Sequence, residues 1–182
     1  MSNFLSIPNT LASTSDASLS DANEQFLRFH LVPETTAIIS ILQLTEVLTI
    51  PVGEVVPIAH MPSWVMGVYN WRGDILWIVD LGHLIGLTPW HQQALNTSVY
   101  RAIVLKTGEG KSSSGQVKSK MLGLVVNRVE DIELCNPDLI QSPPPASVNP
   151  SLLSFLRGYY VKPDGEILVA LEGEAIINGI PQ

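Results

Sequence analysis

Short apolar runs separated by Gly, Pro and polar residues dominate the chain from Glu24 onward. Residues 25–32 alternate, with Phe26, Arg28, His30 and Val32 on one parity and Leu27, Phe29 and Leu31 on the other. That period predicts a strand with a mostly apolar inward face. Pro33 and Glu34 make a turn, and the β-branched stretches 36–41 and 44–50 predict two further strands. Residues 65–71 and 74–79 predict a hairpin closed at Arg72-Gly73. Asp80 is placed to cap a short helix over 81–85, because its carboxylate can accept from the unpaired N–H groups of the first turn. Gly86 then ends that helix in a left-handed conformation. Strands follow at 99–106, 121–126 and 128–135, and a last hairpin at 155–161 and 166–171. Its Lys162-Pro-Asp-Gly165 turn has a mechanism: Pro163 presets φ and Gly165 accepts a positive one. Residues 1–23, rich in Ser, Thr, Asn and Ala, read as a flexible leader, and 107–120 as a Gly/Ser/Lys loop.

The two hairpins echo each other. Gly73-Asp-Ile-Leu-Trp-Ile-Val-Asp80 aligns with Gly165-Glu-Ile-Leu-Val-Ala-Leu-Glu172, and Leu84-Ile85 with Ile176-Ile177. Upstream, Gly67-Val-Tyr69 matches Gly158-Tyr-Tyr160 with one gap. The repeated unit is strand, Gly turn, strand, acidic cap, short helix. It predicts two similar β lobes, about 24–88 and 97–172, with the termini free to cross between them. Many short strands in each lobe suggest barrels, which close their edges.

At 182 residues, 46% apolar and 15% charged, the chain can bury a substantial core. The net charge of −7 argues against general nucleic-acid binding, which needs clustered Lys and Arg, and against an anionic membrane surface. No apolar run approaches the roughly 20 residues of a membrane-spanning helix. One cysteine, Cys135, allows no internal disulfide, and a cytoplasmic setting is the default.

Catalytic patterns fail on inspection. Gly110-Lys111-Ser112 resembles the end of a phosphate-binding loop, but the Gly required five residues earlier is Leu105. His30, His60, His83 and His91 lack metal-ligand spacing. Cys135 has no neighbouring cation to lower its thiol pKa, so it reads as structural. The cluster Glu130-Asp131-Glu133 beside Arg128 reads as a solvated face. Arg72, by contrast, is the only Lys or Arg between Arg28 and Arg101, at the tip of an apolar hairpin. That is the form of a scaffold presenting a contact, though a solvated turn residue would have the same sequence.

Three segments carry a family resemblance: Ile39-Ser-Ile-Leu-Gln-Leu-Thr-Glu46-Val, then Met61-Pro-Ser-Trp-Val-Met-Gly67-Val-Tyr-Asn70-Trp-Arg72-Gly73, then Ile78-Val-Asp80-Leu. Leu122 to Ile132 and Phe155-Leu-Arg-Gly158 continue it, so that about 24–178 resembles the CheW family of chemotaxis coupling proteins. The resemblance implies a mainly β fold of two SH3-like five-stranded β-barrels with an apolar interior between them. It also implies a non-enzymatic adaptor without cofactor. Its partners would be a chemoreceptor cytoplasmic tip and the regulatory domain of a CheA-type histidine kinase, with cytoplasmic protein recruited to receptor arrays. The family's receptor-coupling arginine falls on Arg72, with Leu44 and Glu46 at receptor-facing positions. Asn70 lies in the same motif, and Gly67 matches a glycine needed for backbone fit. The usual Leu before the arginine is here Trp71. A stand-alone module binding a kinase without a receptor is the alternative, and a small-molecule or hydrolytic β-barrel a more distant one.

Overall fold

The computed structural model describes residues 23–94, 97–107, 120–142 and 148–180. The expected leader and most of the 107–120 loop lie outside these residues. Among the described residues, ten strands make two five-stranded sheets. The first strands are β1 (Glu24–Leu31), β2 (Thr35–Ser40), β3 (Leu44–Pro51), β4 (Val65–Trp71) and β5 (Asp74–Asp80). They are followed by α1 (Leu81–Leu84), β6 (Val99–Lys106), β7 (Met121–Val126) and β8 (Arg128–Cys135). After these come α2 (Pro150–Leu153), β9 (Leu156–Val161), β10 (Ile167–Leu171) and α3 (Gly173–Asn178).

One sheet has the order β8-β1-β2-β10-β9, the other β3-β6-β7-β5-β4. Sheet membership therefore cuts across the division at 24–88 and 97–172. β1 and β2 sit in one sheet with β8, β9 and β10. The physical reason is the parallel pairing of β2 with β10, from Ala37–Val169 to Ile39–Leu171, which places the apolar 37–39 run at the centre of that sheet.

Three apolar clusters explain why most strands bury both faces. Leu27, Phe29, Ile39, Ile103, Leu124 and Ile176 belong to a cluster built from both sheets. Ile50, Leu76, Ile78 and Val104 fill the inner face of the second sheet. Phe26, Ile38, Cys135 and Leu168 fill that of the first. β1 accordingly buries Phe26 on one parity and Leu27, Phe29 and Leu31 on the other. Burying apolar surface on both faces is the main stabilising contribution, at about 25 cal/mol per Å².

Closed barrels were the expectation. Among the described residues no strand ladder joins β8 to β9 or β3 to β4. Each gap is instead crossed by one isolated bridge, Val56–Val68 in the second sheet and Gln141–Tyr159 in the first.

Candidate functional site

The β4–β5 hairpin turns through Arg72 and Gly73, with φ of +53° and +90°. Two consecutive positive φ values match the twist of the strands, as in type I′ turns. An arginine in this region costs about 1 kcal/mol, which the surrounding contacts offset. Asn70 contributes by accepting the Gly73 N–H through Oδ1 at 3.0 Å. Trp71 pairs with Asp74 across the turn and packs against the second sheet's core.

The tip reaches the start of β3. Arg72 Nη2 lies 3.0 Å from Glu46 Oε1 and 3.2 Å from Oε2. The Arg72 guanidinium carbon is 4.8 Å from the Trp71 ring centroid. Arg72 keeps 69% of its side chain exposed, against 27% for Glu46. An ion pair this exposed contributes little stability, about 0–1 kcal/mol. Its effect is to order a cation at the surface.

Of the expected site residues, the fold thus joins Arg72 to Glu46 and sets Asn70 in the same turn. Leu44 is half-buried against the shared core and lines a groove of about 440 Å³ with Leu42, Thr45, Lys106, Thr107 and Glu174. Gly67 stands apart, since it is buried and presents no surface. A Cβ there would fall 2.2 Å from the Val56 carbonyl oxygen. Its role is backbone fit where β4 meets the segment after β3.

A sequence-family model described as a CheW-like domain matches residues 25–180. This chain belongs to the CheW family. The CheW-family chain is 32% identical over 120 residues to the chemotaxis protein CheW of Rhizobium meliloti (strain 1021), covering 66% of this chain and 62% of that protein. It is 29% identical over 119 residues to a probable chemotaxis protein CheW of Rhizobium etli, covering 65% of this chain and 66% of that protein. The match thus spans a little under two thirds of both relatives. A crystal structure of the scaffolding protein TtCheW from Thermoanaerobacter tengcongensis superposes with a TM-score of 0.63 at 22% identity, over 82% of this chain and 89% of that one. That likeness is one of fold.

Sequence reasoning overlooked two apolar residues of this CheW-family chain. Ile75, on the hairpin beside Arg72, is 73% exposed, and Leu42, in the 3-10 turn before β3, is 84% exposed. Period-2 alternation carried the signal for Ile75, because Leu76 and Ile78 point inward on the same strand. The solvated acidic face is also corrected. Glu130 lies 2.7 Å from Arg28 Nε and 2.7 Å from His30 Nε2. Glu133 pairs with Lys162 at 3.1 Å. Arg28 is the hub, with a two-pronged contact to Glu166 at 3.0 and 2.7 Å. These carboxylates are held by cations from β1 and the β9–β10 turn, which only the fold brings to β8.

Proposed function

We propose that this CheW-family chain is a non-enzymatic adaptor that couples chemoreceptor cytoplasmic tips to the regulatory domain of a CheA-type histidine kinase. The observation that carries this reading is Arg72: an exposed cation on a hairpin tip, ordered by Glu46, in a turn braced by Asn70. Its planar fork suits carboxylates and backbone carbonyls on a partner. Exposed Ile75 and Leu42 add apolar area of the kind that protein contacts use. Each sheet works as an SH3-like barrel in this reading, supported by the bridges at Val56–Val68 and Gln141–Tyr159. The protein acts in the cytoplasm and is recruited to membrane receptor arrays. Among the described residues no helix is long and apolar enough to cross a membrane.

The test is co-sedimentation of the purified protein with a receptor cytoplasmic fragment and a CheA-type kinase, separately and together. Arg72→Glu is expected to weaken receptor binding by about 2 kcal/mol, roughly 30-fold, while kinase binding persists. Normal receptor binding by that variant removes Arg72 from the contact. Failure of the wild-type protein to bind either partner overturns the adaptor role.

A further inference from the structure

The arginine of the hairpin tip is held from two sides, and one of those holds comes from an uncharged group. Glu46 engages Nη2 alone, at 3.0 and 3.2 Å. Nη1 and Nε make no hydrogen bond to any described residue. Beneath the guanidinium lies the Trp71 ring, 4.8 Å from carbon to centroid. Trp71 is itself fixed: it is the last residue of β4, pairs with Asp74, and packs on the core that includes Leu76 and Ile78. The ring is therefore a rigid shelf, whereas the Glu46 contact is an exposed ion pair that salt screens.

We infer that Trp71 is a positioning residue: its ring, together with Glu46, holds the Arg72 guanidinium in place and leaves Nη1 and Nε available to a carboxylate or carbonyl of the partner. This role rests on the adaptor reading and says how its central contact is built. An unheld arginine must be immobilised when a partner binds, at an entropic cost to affinity. Stacking on a tryptophan, the strongest of the aromatic platforms for a cation, shifts that ordering into the folding of the hairpin. Because the shelf is apolar, it also keeps acting at ionic strengths that weaken the Glu46 pair.

The experiment compares wild-type protein with Trp71→Leu, Trp71→Phe, Arg72→Ala and the Trp71→Leu/Arg72→Ala double variant. Trp71→Met replaces the Leu variant if that one fails to fold. Binding to a receptor cytoplasmic fragment and to the kinase regulatory domain is measured by calorimetry. Nitrogen-15 relaxation of the Arg72 Nε–H group is measured in the free protein. Trp71→Leu is expected to weaken receptor binding roughly two- to fivefold, with near-complete recovery in Trp71→Phe. Kinase binding stays level, and no further loss appears in the Arg72→Ala background. The Arg72 Nε–H group becomes mobile in Trp71→Leu and rigid again in Trp71→Phe. Equal losses with and without Arg72, or an Nε–H group as rigid in Trp71→Leu as in wild type, overturn the inference. If Arg72→Ala binds receptor normally, the adaptor contact is wrong, and the relaxation data alone decide whether Trp71 holds Arg72.

Discussion

Gly67 and Gly158 occupy the same place in two sheets of identical topology. Gly67 has φ +144° and follows the register shift where β4 pairs with β5, one residue before the bridge from Val68 to Val56. Gly158 has φ +157°, lies at the corresponding shift of β9 on β10, and precedes the bridge from Tyr159 to Gln141. The orders β3-β6-β7-β5-β4 and β8-β1-β2-β10-β9 also match pairing by pairing, antiparallel except for the parallel β5–β7 and β2–β10 contacts. β8, β9, β10, β1 and β2 thus repeat β3 to β7 in cyclically permuted order.

Alanine should be poorly tolerated at both glycines. At Gly67 the new Cβ would meet Val56 O at 2.2 Å, and at Gly158 it would meet Gln141 O at 2.6 Å. Strained backbone and a backbone clash together should cost roughly 2–5 kcal/mol. Gly73, at φ +90° but with nothing within 4 Å, isolates the conformational cost, so Gly73→Ala should lose only about 1 kcal/mol. Gly53 has open space and no positive φ, and Gly53→Ala should stay within about 1 kcal/mol of wild type. Urea unfolding midpoints of the four variants check the ranking.

Strand positions were legible because alternation and apolar runs are local. Residues 99–106, 121–126 and 128–135 form strands over the expected spans. Pairing partners were not legible. The repeat identified β4–β5 with β9–β10, but nothing local in the 35–40 stretch says that it joins β10 rather than β3. The 3-10 turn Trp90–Gln92 and the short α2 were missed because one turn of helix is too brief to show a period. Acidic caps were expected after both hairpins. Asp80 makes one, accepting from His83 N at 3.1 Å, whereas the Glu172 side chain makes none. Glutamate carries an extra methylene and is not among the residues whose oxygen readily reaches back to the first turn.

Asp80 is 4% exposed, and its second oxygen accepts from Trp90 N at 2.6 Å. The carboxylate thus ties α1 to the segment before β6. Asp80→Asn keeps the shape but supplies only one acceptor oxygen, leaving one of the two N–H groups unpaired. Thermal or denaturant unfolding should show a loss of about 1–3 kcal/mol. Burial, and then the charge of Asp80, raise the Tyr100 phenol above its ordinary range. An alkaline absorbance titration should therefore show one phenol titrating lower in Asp80→Asn, still held up by its burial.

The Arg72–Glu46 contact was more legible than the ion network. Arg72 could be singled out as an isolated cation in a turn, and Glu46, 26 residues away, came from the family resemblance. Arg28 and Glu166 are 138 residues apart, and only the placement of β1 between β8 and β2 brings the β9–β10 turn within reach.

Replacing Arg28 by Met should destabilise the protein by about 2 kcal/mol at neutral pH, since Glu130, Glu133 and Glu166 lose a common partly buried partner. The His30 hydrogen bond, against the opposing effect of burial, and the charges of His30, Arg28 and Arg128 hold the Glu130 carboxyl below its usual range. A carboxyl lowered by folding stabilises above its unfolded pKa of about 4.3, and that stability is lost as the pH falls through the folded value. Wild type and Arg28→Met should therefore differ more at pH 7 than at pH 3. Equal differences at both would show that the loss is one of packing alone.

Cys135 offers a probe of the first sheet. Its thiol is buried at the end of β8 with Phe26 and Leu168, and burial, reinforced by the Glu133 charge, pushes its pKa up from 9.0 to about 11. A group whose pKa is raised on folding contributes stability that is complete below the unfolded pKa and lost as the pH rises toward the folded one. Between pH 9.0 and about 11, wild-type stability should therefore fall with a slope approaching 1.4 kcal/mol per pH unit beyond that of Cys135→Ala. At pH 8 the thiol should react with an aromatic disulfide reagent only through opening of the sheet, so added urea below the unfolding transition should accelerate labelling. Reaction at the rate of a free thiol without urea, or parallel stability profiles for the two proteins across that pH window, would contradict the buried placement of Cys135.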